Sequence, residues 1–128
     1  MISKSQMFEP MLVACPSFTP RWQEFVEESE RHPAQEPLYY LVLGDLARHL
    51  LEKLISERTE EFPAVFRVVE LWCCGSEEVR TAAKVGLLEG IQNNASHLGV
   101  DDRMFEPWFM DETRKAWDAL NSFWEGKD

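Results

Sequence analysis

The chain has 128 residues, 13 basic and 23 acidic side chains, a formal net charge of −10, and a hydrophobic fraction of 45%. That length suits one domain burying roughly two-thirds of the surface its unfolded form exposes, and charges break the apolar runs well short of the roughly 20 residues a membrane span needs. The excess of acid repels phosphate backbones, which argues against direct nucleic-acid binding, and it would steer a basic partner in.

The charge is unevenly placed. Segments 24–36, 57–61 and 101–112 carry net charges of −4, −2 and −4, the whole of the formal charge. The first 18 residues hold one lysine and an apolar stretch broken by Glu9 and Pro10. They make a poor secretory signal and are expected to form an irregular arm. Three cysteines, with Cys73 and Cys74 adjacent, argue against a disulfide framework. A reducing compartment, the cytoplasm, is the expected location.

The spacing of apolar residues is helical throughout, with no strand-type alternation and no hairpin signal. A first helix begins at Thr19, whose hydroxyl can cap it, with Pro20 in the first turn. Trp22, Phe25 and Val26 form its apolar face, and His32-Pro33 ends it. A second, over about 36–58, is apolar over most of its circumference at Leu38, Tyr39, Leu41, Val42, Leu46, Leu50, Leu54 and Ile55. Its narrow wet strip, Asp45, Arg48, His49, Glu52 and Lys53, predicts a central position.

A third helix, over about 62–74, tolerates Pro63 in its first turn and aligns Val65, Phe66, Val69 and Trp72. Gly75 is expected to close it in the left-handed conformation. Ser76 then caps a fourth helix to about residue 94, with Glu77 and Glu78 favoured by the macrodipole. Ala82, Gly86 and Gly90, four residues apart, predict close approach of another helix. Residues 97–110 read as a loop with room for one helical turn. A last helix opens with Asp111 as cap and runs to Trp124, aligning Trp117, Leu120 and Trp124, before a frayed tail at 125–128. The expected fold is all-α: a compact antiparallel stack of about five helices in a single domain, 1–128.

No phosphate-binding loop, dinucleotide fingerprint, zinc-protease helix, nucleophile elbow or calcium loop occurs. No catalytic residue, cofactor or metal site is therefore expected. Cys73 and Cys74 at a helix end, without CxxC, are most simply buried small hydrophobes, the alternative being redox or metal work. His32, His49 and His97 lie far apart in sequence. Asp45 and His49, one turn apart, suit either an acid orienting a base or an ordinary surface pair, with no nucleophile nearby in sequence.

Glu70 and Glu89 have apolar neighbours, and a buried carboxylate must be paired or protonated. Arg67 or Arg80 would serve Glu70; a helix end or the Asn93 amide would serve Glu89. Neither glutamate has the histidine three residues on that a diiron bundle needs. Trp108, after Pro107 and framed by acids, suits a hot spot for a basic partner. It equally suits a cover, with Phe109, over the open end of the stack.

The stretch "GSEEVRTAAKVGLLEGI", preceded by "FPAVFRVVELWCC", resembles a HEAT or armadillo repeat: a capped turn, Val79-Arg80, Ala82-Ala83 and Leu87-Leu88. It implies a helical hairpin at 62–94. "YLVLGDLARHL", "FRVVELW", "VGLLEGIQN" and "WDALNSFWEG", in that order over residues 37–126, resemble small bacterial helical proteins encoded beside polymorphic or contact-dependent toxins. That resemblance implies an immunity protein: a monomer or weak dimer that binds and blocks a basic toxin domain, with no catalytic motif to carry over. Asp101, Asp102, Glu106, Asp111 and Glu112 would supply the charge and Trp108 the anchor. The alternatives are a scaffold or adaptor holding a peptide in a groove, and an enzyme or metal protein using Glu70, Glu89 and a histidine.

Overall fold

The computed structural model describes residues 2–31 and 39–124. Among them every regular element is helical and no strand occurs. Seven α-helices, rather than about five, follow in order: α1 (Phe8–Ala14), α2 (Thr19–Arg31), α3 (Tyr39–Ile55), α4 (Phe62–Cys73), α5 (Glu77–Thr81), α6 (Glu89–Leu98) and α7 (Asp111–Trp124). Short 3-10 helices at Lys4–Gln6, Pro16–Phe18 and Asp102–Trp108 join them, and a π-helix over Ala82–Leu88 links α5 directly to α6. The expected start of the second helix at about residue 36 and the end of the first at His32-Pro33 fall outside the described residues, as does the tail at 125–128.

The N-terminal arm is not irregular. Met7, Phe8, Met11, Cys15 and Phe18 are all buried, at spacings that put them on one helical face. Pro10, which suggests a break, sits in the first turn of α1, where no hydrogen bond from its nitrogen is required. Trp72, fully buried on α4, donates its indole N–H to the Met7 carbonyl at 3.1 Å. Phe8 stacks between Trp22 and Tyr39, at 4.8 and 5.8 Å between ring centroids. The arm thus closes one side of the core. Thr19 already has helical backbone angles and follows Pro16–Phe18 without a break, so it does not act as a cap.

Helix α3 is central, as its narrow polar strip predicts. Leu43, Leu46, Ala47, Leu50 and Leu51 are fully buried, whereas Leu41 and Ile55 point outward. Lys53 is buried, not part of the wet strip, because its ammonium turns inward to Glu61. The helix ends through Glu57 at φ 60, with the Arg58 N–H on the Lys53 carbonyl at 2.8 Å and the Glu57 N–H on that of Leu54 at 3.1 Å. This is a Schellman closure without glycine.

The small-residue stripe lies where α3 approaches. A Cβ on Gly86 would stand 2.6 Å from Leu43 Cδ1 and 3.1 Å from Leu43 Cβ; one on Gly90 would stand 3.3 Å from Ala47 Cβ. Gly44, on the other helix, has nothing within 4 Å of such an atom. Two glycine-to-alanine changes should therefore move stability in opposite directions. Gly44→Ala gains the helical preference of alanine, about 0.5–1 kcal/mol. Gly86→Ala gains the same and suffers overpacking of about 1–3 kcal/mol, for a net loss of about 1 kcal/mol. Urea midpoints of the two variants check this; a stabilising Gly86→Ala would show that the helices part freely.

Gly75 has a different task from the one expected. Its φ is not positive; among the described residues the left-handed glycine is Gly99, at φ 69, which closes α6 with the Val100 N–H on the Ala95 carbonyl at 2.9 Å. At Gly75 a Cβ would stand 2.7 Å from the Ile2 side chain, and the Ser76 N–H donates to the Ile2 carbonyl at 3.1 Å. The glycine makes room for the arm. Ser76 caps α5 as expected, its hydroxyl accepting from the Val79 N–H. Cys74 is exposed and Cys73 half-buried, so only Cys15 behaves as a buried small hydrophobe.

Candidate functional site

Two polar regions carry the chemistry. The first is the acidic segment between α6 and α7. Asp101 caps the 3-10 helix Asp102–Trp108 by accepting the Arg103 N–H at 3.0 Å. Phe105, in the middle of that helix, is fully buried against Phe62 and Phe66. Trp108 is half-buried, edge-on to Phe62 at 5.0 Å, and Phe109 packs edge-on to Trp117 at 4.8 Å. The aromatic pair covers the end of the stack, while part of the Trp108 ring still faces outward.

The acids are less bare than the sequence suggests. Arg103 pairs with Asp101 at 3.1 Å, Arg114 with Glu106 at 3.0 Å, and Lys115 with Glu112 at 3.1 Å. Arg114 and Lys115 come from the first turns of α7, outside the segment whose charge defines the patch. Asp102 and Asp111 have no ion-pair partner among the described residues. The side-chain hydrogen bonds and N–H of Arg103 hold the Asp101 carboxyl below its ordinary value. Partial burial, then the like charges of Asp101 and Glu106, push that of Asp102 up.

An acid whose folded pKa is raised costs stability once it ionises. The penalty is absent below the ordinary value of 3.8 and complete above the folded one. Asp102→Asn should therefore stabilise the protein at pH 7, by on the order of 0.5 kcal/mol for a surface substitution. The gain should vanish at pH 3. Urea unfolding at the two pH values checks it, and a loss at pH 7 would mean that Asp102 has a favourable partner.

The second region is absent from the sequence reading. Ser17, His49, Lys53, Glu61 and Cys15 converge from the 3-10 turn Pro16–Phe18, the middle and end of α3, the N-cap of α4 and the C-cap of α1. Ser17 Oγ lies 2.8 Å from His49 Nε2 and donates to Glu61 Oε1 at 2.5 Å. The Ser17 N–H donates to Glu61 Oε2 at 3.1 Å, and Lys53 Nζ lies 3.4 Å from Oε1. Cys15 Sγ lies 3.5 Å from both Ser17 Oγ and Glu61 Oε1.

Burial, then the Lys53 ammonium, hold the His49 imidazole below its ordinary range, so the ring is neutral at pH 7. Burial alone would raise Glu61, but the Ser17 hydroxyl and N–H, with Cys15 and Lys53, outweigh it and keep the carboxyl ionised. Burial pushes the Cys15 thiol up to about 11. Serine, histidine and glutamate are the components of a hydrolase triad, but their order here is wrong. The one hydroxyl proton goes to Glu61, so His49 Nε2 must donate to Ser17 rather than accept from it, and the serine is not activated. Cys15, His49 and Glu61 nonetheless bring three metal-ligating atoms within 4.8 Å of one another.

The other expected sites resolve into structure. Asp45 does not orient His49; it takes the Arg21 guanidinium, with Nε at 2.7 Å, and Arg48. Glu70 pairs with neither Arg67 nor Arg80, but caps α7, accepting from the Glu112 and Thr113 N–H groups at 3.0 and 2.8 Å. Glu89 is half-buried where the π-helix passes into α6, with no hydrogen bond to the Asn93 amide among the described residues. His97 is exposed on the last turn of α6, and His32 lies outside the described residues. Among the described residues no helix is long and apolar enough to cross a membrane.

No curated protein and no solved structure matches the chain. A family described as a domain of unknown function, DUF7674, matches residues 8–125. The match spans nearly the whole helical unit, from α1 through α7, and the chain belongs to that family.

Proposed function

We propose that the protein is a non-catalytic binding protein of the cytoplasm that engages a basic protein domain, in the manner of a bacterial toxin immunity protein. The contact surface is Asp101, Asp102, Glu106, Trp108, Asp111 and Glu112. The observation that carries the reading is Asp102, a partly buried carboxyl without an ion-pair partner among the described residues, beside the like charges of Asp101 and Glu106, which with burial disfavour its ionisation in the free protein. Groups arranged at a cost to the free protein are a mark of binding surfaces.

The surface is also preorganised, which limits the ordering cost of association. Phe105 fixes the 3-10 helix in the core, and Glu70 holds the start of α7. A partner's cations would meet Asp102 and Asp111 directly and exchange with Arg103, Arg114 and Lys115 at the other acids. The α4 to α6 region serves, on this reading, as a HEAT-like support behind the surface.

The test is co-expression with the product of the adjacent upstream gene, followed by size-exclusion chromatography at low and high salt. A 1:1 complex that weakens with salt and rescues growth from that product supports the reading. Charge reversal at Asp102 and Asp111 should then weaken binding by at least tenfold, about 1.4 kcal/mol. An unchanged affinity would remove this surface, and absence of any complex or toxicity would transfer the reading to an adaptor of endogenous proteins.

A further inference from the structure

The cluster at Cys15, His49 and Glu61 shares no residue with the acidic surface proposed above. Its three groups belong to separate elements, the C-cap of α1, the middle of α3 and the N-cap of α4. Their positions are therefore set by the packed helices rather than by one loop. Cys15 is fully buried, the Glu61 side chain is 16% exposed, and the His49 ring rests on Phe18 at 5.5 Å. Rigid, partly desolvated ligands of mixed type are what a metal site needs.

We propose that Cys15 Sγ, His49 Nε2 and Glu61 form a site for a zinc-class divalent cation, bracing α1 to α3 and α4. The donor set selects the metal. One thiolate, one imidazole and one carboxylate suit zinc in tetrahedral geometry, with bonds of about 2.0–2.3 Å. Hard oxygen-loving cations have no use for the sulfur, and copper(I) would favour more thiolate or thioether ligands. A thiolate and a carboxylate together balance the two positive charges; as they ligate, the Cys15 thiol proton passes to solvent and the His49 proton moves from Nε2 to Nδ1, so that Nε2 offers its lone pair.

The geometry needs only a small contraction. Ligand atoms around tetrahedral zinc stand about 3.4 Å apart given those bond lengths, whereas these lie within 4.8 Å. Ser17 Oγ, at 2.8 Å from His49 Nε2, 2.5 Å from Glu61 Oε1 and 3.5 Å from Cys15 Sγ, now bridges the three. The cation takes over that bridging task, with the Ser17 hydroxyl or a water as fourth ligand. Lys53, 3.4 Å from Glu61 Oε1, opposes the incoming charge and sets the affinity below that of all-cysteine sites.

The test is titration of the metal-free full chain with Co²⁺, followed by Zn²⁺. The expected result is one equivalent of Co²⁺ giving tetrahedral visible bands and a thiolate-to-cobalt charge-transfer band, both bleached by Zn²⁺. Cys15→Ser should abolish the charge-transfer band, while Cys73→Ser with Cys74→Ser leaves it intact. Glu61→Gln should weaken binding by more than the roughly 10–100-fold that loss of an outer-shell partner costs. Should Cys15→Ser fail to fold by circular dichroism, His49→Gln, at the half-exposed edge, takes its place and is expected to lose the same affinity. A band that is absent in the wild-type chain, that survives both Cys15→Ser and His49→Gln, or that follows Cys73 and Cys74, overturns the proposal.

Discussion

Trp72→Ala is expected to destabilise the protein by about 3–5 kcal/mol, a large part of the roughly 5–15 kcal/mol by which a domain of this size is stable. The indole is fully buried on α4, faces Phe8 edge-on at 6.0 Å and donates to the Met7 carbonyl. Removing it opens a cavity and takes from the Met7 carbonyl, which as the cap of α1 also receives that helix's first main-chain bond, its tie to α4. Trp72→Phe separates the two effects, because it keeps most of the apolar body and loses the N–H. The lost indole bond accounts for about 0.5–1.5 kcal/mol. Urea unfolding of both variants measures this, and limited proteolysis shows where the chain loosens. Cleavage near residues 2–18 should precede cleavage in α3. A loss below about 1 kcal/mol for the alanine variant would mean that the arm is not docked through this side chain.

The burial of that arm was the part of the fold least legible in the sequence. Helix α3 and helix α4 announce themselves through 12 to 17 residues of repeated apolar spacing, and the ends at Ser76 and Pro63 follow from local chemistry. Helix α1 has only seven residues. Over so short a run Glu9 and Pro10 look like interruptions, although Met7, Met11, Cys15 and Phe18 already sit on one face. Glycines were legible as constraints but not as kinds of constraint. Gly86 meets a neighbouring helix as its spacing suggests, whereas Gly75 yields to Ile2, from the far end of the chain. The π-helix over Ala82–Leu88 leaves no mark in the residue pattern, since Ala, Val and Leu fit an α-helix equally well.

The same limit governs the sites. The acidic segment is contiguous in sequence, so its charge could be counted, but the cations that partly neutralise it stand at Arg114 and Lys115. Ser17, His49 and Glu61 are separated by 32 and 44 residues in their hydrogen-bonded pairs, a spacing no local motif contains. Only the packing of α1, α3 and α4 brings them together. Glu70 is the intermediate case: its apolar neighbours show that the carboxylate needs a partner, and the partner proves to be main chain rather than arginine.

Glu70→Ala is therefore expected to act on α7. Glu70 Oε2 accepts from the Glu112 N–H at 3.0 Å, and Oε1 from the Thr113 N–H at 2.8 Å and the Thr113 hydroxyl at 2.9 Å. Thr113 is fully buried. Alanine deprives the helix of a cap, about 0.5–2 kcal/mol, and of a negative charge at the positive end of its dipole, about 0.3–1 kcal/mol. It also leaves the buried Thr113 hydroxyl only the weak Cys73 sulfur acceptor at 3.9 Å, about 1 kcal/mol. Because these contributions overlap, the expected total is about 2–4 kcal/mol. Glu70→Gln keeps one acceptor but turns an amide N–H₂ toward a backbone N–H, and should lose about half as much. Hydrogen exchange distinguishes this from a general loss of stability, since the amides of Glu112 and Thr113 should exchange faster while those of Leu46 and Leu50 in α3 lag behind. Uniform acceleration would contradict a local cap. Because a distant glutamate satisfies these N–H groups, Asp111, the residue that local chemistry would appoint as cap, is left exposed beside Glu112 on the proposed partner surface. Weakening the cap should accordingly lower affinity for a basic partner even though Glu70 itself never touches it.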